Sequence, residues 1–410
     1  MANPLILYDN RYDDGTPTAT VTESGYSVLY IRDWKAYTFW KGDVTDPSYL
    51  TVDCGEGTIT TTGDNLITNG TFNADTTGWT ARACTIASSH PAGGGQDDDY
   101  LIITVDDDPA HGDAQDVYQS ASLTIGKSYR ASLYAKSGTS GDEEFHIYLN
   151  EQGVAIRNTY TGTTTSEWVQ HTVDFAITNT VNQFIITKGT ATHGTMFFDT
   201  VTLYELTNVP MANTLGIQSH NLNTVAATIS VEASGDNNQW NEVLAGFAPS
   251  DDLNIMKSFG TDYYARYWRL KIASHTAAPQ IAILCIGEAL EIPTPPRTEV
   301  DIYEASVSGE GSLSKTGHLL GAIVRNKPVE INYTFKGSDY TYTWVSTDYR
   351  TFWEDHASEM KPFFFALDLT NFTDLHWLMR IKPDSSWKVP MIFKTRVEQL
   401  ELNFEGLWGV

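Results

Sequence analysis

The chain has 410 residues, with 26 Lys plus Arg against 51 Asp plus Glu and a formal net charge of −25 at pH 7. A chain of this length can form roughly two to four domains, each with its own core. The negative charge repels nucleic acid phosphates and anionic lipid headgroups, so we expect neither a nucleic-acid nor a membrane-surface role.

The N-terminus, MANPLILYDN, has neither a basic segment nor a long apolar core, so it does not look like a secretory signal. No apolar run approaches the ~20 residues that a membrane-spanning helix needs. The three cysteines, Cys54, Cys84 and Cys285, lack the spacing of a metal site. We therefore expect a soluble protein with buried thiols rather than a disulfide framework.

Strand and turn signals run along almost the whole chain. YRASLYAKS (129–137), EFHIYLN (144–150) and YARYWRLKIA (264–273) alternate apolar and polar residues, and Thr, Val, Ile and Tyr are abundant. This pattern predicts β-sandwiches or jelly rolls, with helix as a minor component.

Domain boundaries are predicted from three connecting stretches. Apolar density drops near 58–65 and 204–215, which bracket a piece the size of one sandwich, and EIPTPPRTE (291–299) is a proline-rich connector. The piece begins with NLITNGTFNADTTGWT (65–80), which has the apolar anchors and tight turns of an opening strand. We predict a first domain split between 1–62 and 208–292, an insert at 64–206 and a C-terminal domain at 297–410.

Acidic residues offer several alternatives for chemistry. The runs QDDDY (96–100) and VDDDP (105–109) could bind calcium, but a hydrated acidic loop also explains them. Asp142, Glu143 and Glu144 could act as general acid and base, but exposed turn acids explain them better. The sequence has no metal cluster, nucleophile elbow or phosphate loop, so we expect a protein that is not an enzyme.

The C-terminal part has one helical pattern, YRTFWEDHASEM (349–360). Its apolar residues recur at three and four residue steps, and Pro362 follows before a new apolar strand. On that face His356 is expected to be a packed or capping side chain rather than a ligand. KPFFFALD and TDLHWLMRIK carry more large apolar groups than a free sandwich readily covers, which predicts contact with another subunit.

Residues 65–205 resemble a carbohydrate-binding-module jelly roll through NLITNGTF, VYQSASLTIGKSYRASLYAKS (117–137), EWVQHTVDFAI (167–177) and MFFDTVTLYEL (196–206). The resemblance implies core positions for Trp79 and Trp168. It also implies one structural calcium ion near the first and last strands, with Asp199 and the Asn73 side chain or nearby backbone carbonyls as ligands. Many such modules have glutamate at the position of Asn73, so a neutral oxygen here should weaken the site.

The flanking segments resemble the two halves of a discoidin-like sandwich through YLTVDCGEG (49–57), LGIQSHNLNTVAATISVEASGDNNQW (215–240), YYARYWRLKIAS (263–274) and IAILCIGEAL (281–290). Together with SLSKTGHLLGAIVRN and the closing LELNFEGLWGV, they resemble tail-tip or baseplate proteins of tailed bacteriophages. The predicted fold is thus mainly β: a discoidin-like β-sandwich interrupted by a jelly-roll β-sandwich and followed by a β-rich C-terminal domain with one short helix.

Alternation also predicts a contact face for a glycan. It sends six side chains away from the inferred core, where tyrosine rings among hydrogen-bonding groups suit a sugar. These residues are Arg130, Tyr134, Lys136, His146, Tyr148 and Asn150. Exposed tyrosines of an ordinary sheet, or tyrosines under a neighbouring subunit, are the alternatives.

Two functions follow from these patterns. In the first, the chain is a structural tail-tip or baseplate component, present in several copies per virion, assembled in the host cytoplasm with other tail proteins. Its inserted jelly roll contacts host-surface polysaccharide during adsorption. In the second, the chain is a stand-alone, non-catalytic, lectin-like binder of bacterial polysaccharide.

Overall fold

A computed structural model describes residues 3–89, 94–96, 99–105, 115–139, 141–151, 157–189 and 194–293, and in the C-terminal part 304–305, 308–316, 318–326, 329–336, 342–383, 385, 391–392, 396–397 and 399–406. The chain is mainly β, with several antiparallel sheets and little helix, which confirms the predicted fold class. Among these residues no helix is long and apolar enough to cross a membrane.

Five short strands precede the insert. They are β1 (Leu5–Asn10), β2 (Thr16–Ala19), β3 (Trp40–Lys41), β4 (Ser48–Asp53) and β5 (Thr60–Thr62). Helix α1 (Arg11–Asp14) follows β1, and a 3-10 helix spans Val28–Arg32. The Asn10 side chain caps α1 by accepting from the Tyr12 amide at 3.2 Å.

The insert contributes ten strands. They are β6 (Thr80–Arg82), β7 (Thr85–Ser89), β8 (Tyr100–Val105), β9 (Asp116–Leu123), β10 (Ser128–Ser137), β11 (Glu144–Glu151), β12 (Arg157–Thr163), β13 (Val169–Ala176), β14 (Val181–Lys188) and β15 (Gly194–Thr207). Sheet I has the order β13-β10-β15-β8-β7, with β5 paired to β15, and sheet II has the order β12-β11-β14-β9-β6. Alternation in each strand turns the apolar residues toward a core between the two sheets.

After the insert the chain returns to the first sandwich. The strands are β16 (Met211–His220), β17 (Thr228–Ser234), β18 (Asn241–Phe247), β19 (Ile255–Tyr264), β20 (Tyr267–Ala273) and β21 (Gln280–Glu291). Strand β4 pairs with β20, and β1 pairs with β21. Strands from both sides of the insert therefore share one sandwich, residues 3–62 and 208–293, here called the body.

The two chain connections to the insert lie side by side. Strand β5 enters next to the end of β15, with Thr62 opposite Glu205 and Thr60 opposite Thr207. Ile59, Leu206 and Val209 form a small apolar cluster beneath this pair. Adjacent ends are what an insertion into a surface loop requires.

The insert also rests on the body through hydrogen bonds. The Ser128 hydroxyl donates to the Tyr264 carbonyl at 2.5 Å, and the buried Asn241 amide donates to the Ala176 carbonyl at 3.1 Å. Gly126 has φ of +90°, and a Cβ there would meet the Asp262 carbonyl. The two sandwiches are thus in direct contact beyond their connecting strands.

The C-terminal segment adds nine strands to the described residues. They are β22 (Glu304–Ala305), β23 (Ser308–Leu313), β24 (Leu319–Asn326), β25 (Val329–Lys336), β26 (Phe363–Ala366), β27 (His376–Ile381), β28 (Met391–Ile392), β29 (Arg396–Val397) and β30 (Gln399–Gly406). Strand β1 pairs with β26 as well as with β21, which makes one sheet of order β19-β16-β21-β1-β26-β27-β30-β25-β22. The boundary predicted near residue 297 lies outside the described residues, and the body and the C-terminal segment on its two sides share a sheet.

The apolar run of β26 faces the chain's own cores. Phe363, Phe364 and Phe365 are each 0% exposed. Phe363 and Phe365 pack beside Ile6, and Phe364 packs beside Leu7. The prediction that KPFFFALD needs another subunit to cover it is therefore wrong for the β26 phenylalanines, because two cores of the chain itself bury them.

The helix predicted at 349–360 is present as α3 (Arg350–Asp355) and a 3-10 helix (Ala357–Glu359), which ends at Met360 with φ of +59°. Helix α2 (Tyr342–Trp344) and a π-helix (Val345–Tyr349) precede it and were not predicted. The His356 ring is buried against Tyr8 and Trp34, and its Nε2 lies 2.7 Å from the Pro362 carbonyl. His356 is a packed side chain, as the helical face predicted.

Replacing residues 65–205 by a short Gly/Ser linker is expected to leave the body folded. The connecting ends are cross-strand neighbours, so closing the shortened loop costs little entropy. Calorimetry should still show a cooperative transition, lowered by a few degrees because Tyr264 and Asn241 lose their partners. Loss of any cooperative transition would contradict this expectation.

Candidate functional site

The six residues predicted to form one contact face lie on two different sheets. Strand β10 belongs to sheet I, between β13 and β15, whereas β11 belongs to sheet II, between β12 and β14. Both sets point away from the shared core, as alternation predicted, but on opposite sides of the sandwich. The single face is therefore wrong. We call the outward side of sheet I face I and that of sheet II face II.

At one end of face I, Arg130 contacts the body. Its Nε and Nη2 donate to the two carboxylate oxygens of Asp174, each at 2.7 Å, and Nη2 lies 3.6 Å from Glu56. Glu56 is also 3.3 Å from Arg266, which forms a bidentate pair with Asp53. Arg130 thus belongs to a charge network between the two sandwiches, which explains its conformation without a glycan.

The other end of face I holds a loop in place. The Trp168 indole N–H donates to the Gly94 carbonyl at 3.1 Å, and its ring packs edge-on against Tyr100 at 5.7 Å. The Lys136 ammonium lies 6.0 Å from the Trp168 ring centroid. Trp79 is in the core as predicted, but Trp168 is half-buried on the outside, so its predicted core position is wrong.

Face II combines polar and aromatic side chains from four neighbouring strands. In one row of the sheet, Arg82 stands opposite Asp116 and Thr187 lies between Asp116 and His146. The next row has Tyr118 on β9. The following row pairs Asn150 with Gln183, whose side chains form an amide hydrogen bond of 3.1 Å.

The accessible ring of face II is Tyr118. It is half-buried, and the Arg82 Cζ lies 5.9 Å from its ring centroid. Tyr148, which alternation also placed outward, is only 7% exposed, so its ring offers little surface for stacking. The Arg82 side chain is 48% exposed, which leaves donors available to a ligand.

The buried carboxylate of Asp116 lies on the same strand as Tyr118, two residues before it. Asp116 Oδ2 accepts from Arg82 Nε at 3.1 Å and from Arg82 Nη2, and the Tyr148 hydroxyl lies 3.5 Å from it. Burial raises the pKa of the Asp116 carboxyl, although Arg82 opposes this shift. Burial, followed by the charge of Asp116, raises the pKa of Tyr148. His146 lies at the other side of the face, with Nδ1 3.0 Å from the Thr161 hydroxyl.

The sequence analysis did not name four residues that contribute to face II: Arg82, Asp116, Tyr118 and Gln183. Alternation in β9 could have found Tyr118, because Val117 and Ala121 lie in the core and turn the tyrosine outward. The same alternation puts Asp116 on this face, but no sequence signal pairs it with Arg82. They meet only because β6 and β9 become neighbours in the folded sheet.

The predicted calcium ligands lie near the loop at 94–96 and in a turn. Asp199 is 0% exposed at a bulge in β15, and it accepts from the Gln96 and Thr200 amides, each at 2.6 Å. Asn73 is exposed in the turn after Phe72. One buried carboxylate with both oxygens engaged by amides can still share a lone pair with a cation, so calcium at Asp199 stays a prediction.

Other acidic groups contribute no site in the described residues. No group of three or more His, Cys, Asp or Glu there could hold a metal ion. Residues 97–98 and 106–109 of the acidic runs lie outside the described part. Asp142 is exposed in the turn before β11 and accepts from the Ser137 hydroxyl at 3.0 Å, while Glu143 and Glu144 are half-buried.

All three cysteines are described, and none forms a disulfide. Cys285 is buried, and burial raises its pKa. Cys54 and Cys84 are half-buried, which is less than the full burial predicted.

Residues 64–192 match the sequence profile of a family described as "Carbohydrate binding domain". The match lies within the insert, so the insert is similar in sequence to this family. This family is non-catalytic. No curated protein matches the chain.

Several solved structures are similar to about a third of this chain. One is the CBM22-1–GH10 module pair of Clostridium thermocellum endo-1,4-β-D-xylanase 10B with xylohexaose, at 19% identity and TM-score 0.28, covering 33% of this chain and 27% of that chain. A CBM4 structure has 24% identity and TM-score 0.27, covering 34% and 99%. Tailspike protein 4 of bacteriophage CBA120 has 10% identity and TM-score 0.27, covering 34% and 21%.

Proposed function

We propose that the insert binds glycans through face II, without catalysis, and that Tyr118, Arg82 and the amides of Asn150 and Gln183 make the contacts. The half-buried Tyr118 ring beside the Arg82 guanidinium carries this proposal. The family match of residues 64–192 supports the same role.

The chemistry of face II suits a sugar ring. One face of a pyranose is apolar and can stack on an aromatic ring, while its hydroxyl groups need donors and acceptors at the rim. Tyr118 supplies the ring. Arg82 supplies donors, and the Asn150–Gln183 pair supplies both donors and acceptors.

Face I supports glycan contact less well. Its Arg130 is engaged by Asp174 and Glu56, and its Lys136 lies beside Trp168, which is bonded to Gly94. Tyr134 remains half-buried between these two ends. It therefore offers a matched tyrosine for comparison with Tyr118.

For the whole chain we propose a place in a bacteriophage tail tip or baseplate, in which the body and C-terminal segment hold the assembly and the insert contacts host-surface polysaccharide. The resemblance of the flanking segments supports this proposal. A stand-alone lectin-like binder remains the alternative, because the β26 phenylalanines are covered within the chain. Mass spectrometry of purified phage particles separates the two, since a tail component must be present at defined stoichiometry.

Tyr118→Ala is expected to weaken glycan binding about tenfold, because it removes the stacking ring. Affinity electrophoresis in gels containing xylan, β-glucan, galactan or host-envelope polysaccharide measures the change. Tyr134→Ala, the matched tyrosine on face I, should leave binding unchanged. A tenfold loss in Tyr134→Ala with none in Tyr118→Ala would place the site on face I and overturn the proposal.

A further inference from the structure

The Arg82 side chain is held by one buried group. Two of its nitrogens donate to the same oxygen, Oδ2 of Asp116, and the Asp116 side chain is only 1% exposed. The Arg82 side chain itself is 48% exposed. A long, exposed side chain has several rotamers of similar energy, so a charged anchor at its base decides where its head lies.

Within the described residues, Asp116 is the one ion-pair partner of Arg82. Strand β6, which carries Arg82, has three residues and lies at the edge of sheet II. Its backbone therefore gives the side chain little lateral support, and the contact with Asp116 fixes the guanidinium near the Tyr118 ring.

We infer that Asp116 is the positioning residue of face II, and that glycan affinity depends on its negative charge because that charge holds Arg82 beside Tyr118. This inference rests on the proposed glycan site, to which it adds a residue that does not itself touch the ligand. It also makes binding dependent on pH.

The contacts of the Asp116 carboxylate indicate which of its two oxygens is protonated on acidification. Oδ2 already accepts from Arg82, whereas Oδ1 is buried and has no hydrogen-bond partner among the described residues. Oδ1 is therefore the oxygen that gains a proton on acidification. The neutral acid keeps its position but attracts the guanidinium much less, because a charge-assisted bond becomes a neutral one.

The groups around Asp116 determine whether glycan affinity falls at a higher or a lower pH than an ordinary Asp would give. Arg82 of β6 favours the charged carboxylate, while burial disfavours it and raises its pKa above the usual Asp value. Tyr148 of β11 and Tyr118 of β9 are the neighbouring phenols, and Thr187 of β14 carries no charge. The Cys84 thiol donates to the Asp116 carbonyl at 3.2 Å rather than to its side chain. Affinity should therefore fall on acidification at a higher pH than an ordinary Asp would give.

His146 needs a control because it is another ionisable side chain of face II. It lies in the same row of sheet II as Asp116, with Thr187 between them, and its Nε2 is 3.6 Å from Glu144. His146→Gln replaces the imidazole by a side chain that carries no charge. The loss of affinity on acidification should persist in His146→Gln and disappear in Asp116→Asn.

A double-mutant cycle in the full chain tests whether Asp116 acts through Arg82. Arg82→Met and Asp116→Asn should each weaken binding about tenfold, measured with whichever polysaccharide of the four retards the wild-type protein most. The double variant should bind no more weakly than Arg82→Met alone. A further loss in the double variant, or an unchanged pH profile in Asp116→Asn, would overturn the inference.

A second measurement does not need a glycan. In the chain labelled with 15N-arginine, the Arg82 Nε–H signal can be assigned by its loss in Arg82→Met. Its hydrogen exchange should be slow in the wild type at pH 7 and faster in Asp116→Asn. Unchanged exchange would overturn the positioning role, whereas faster exchange without any effect of Tyr118→Ala on binding would reject only the proposed glycan site.

Discussion

Phe364→Ala is expected to lower the free energy of unfolding of the body and the C-terminal segment together, by about 3–5 kcal/mol. Phe364 is 0% exposed in β26, opposite Leu7 of β1. Its ring also reaches the body, where a Cβ added at Gly216 would meet it at 2.6 Å. The substitution opens a cavity between the two parts that share β1, so both should lose stability.

Phe372→Ala provides the matched control. Phe372 is 39% exposed in the same segment, so its loss should change stability by less than about 0.5 kcal/mol. Denaturant unfolding followed by tryptophan fluorescence measures both variants, since Trp268 and Trp40 report on the body and Trp344 on the C-terminal segment. A body transition that is unchanged in Phe364→Ala would show that the two parts unfold independently despite the shared sheet.

Acidification from about pH 6.5 to pH 4 is expected to remove about 3 kcal/mol of stability through His356. Burial lowers the pKa of His356 from 6.5 to about 4. Because the folded pKa lies below the unfolded one, the proton binds the unfolded chain first. The contribution of neutral His356 is thus complete above pH 6.5 and lost as the pH falls to 4.

The effect of His356 is isolated by comparing wild type with His356→Gln. Glutamine can still donate to the Pro362 carbonyl, but it does not titrate in this range. Burial raises the pKa of Asp13 to about 6, so acidification stabilises the folded state through this carboxyl. Asp13 is present in both proteins, so its contribution cancels in the comparison. Chemical denaturation at several pH values gives the free energy of unfolding of each protein. The value for wild type minus the value for His356→Gln should fall by about 3 kcal/mol between pH 6.5 and pH 4. Parallel pH profiles would contradict the assignment to His356.

The sequence by itself determined which side of each strand faces a core. The two-residue period of β-strands that turns Tyr134 and Tyr148 outward turns the alternate residues inward, and Tyr129, Leu133, Phe145 and Leu149 are buried in the core of the insert. The apolar spacing around His356 likewise predicted a packed helical face. These features are local, because the geometry of one strand or helix fixes the direction of its own side chains.

Only the tertiary structure decided which strands are neighbours. Alternation gave Tyr134 and Tyr148 the same outward direction, but β10 and β11 entered different sheets, so the two rings lie on opposite sides of the insert. Pairing of β6 with β9 brought Arg82 to Asp116, and pairing of β1 with β26 buried Phe364 within the chain. Such pairings join residues far apart in sequence. They depend on how whole sheets fit together, and no local pattern specifies that fit.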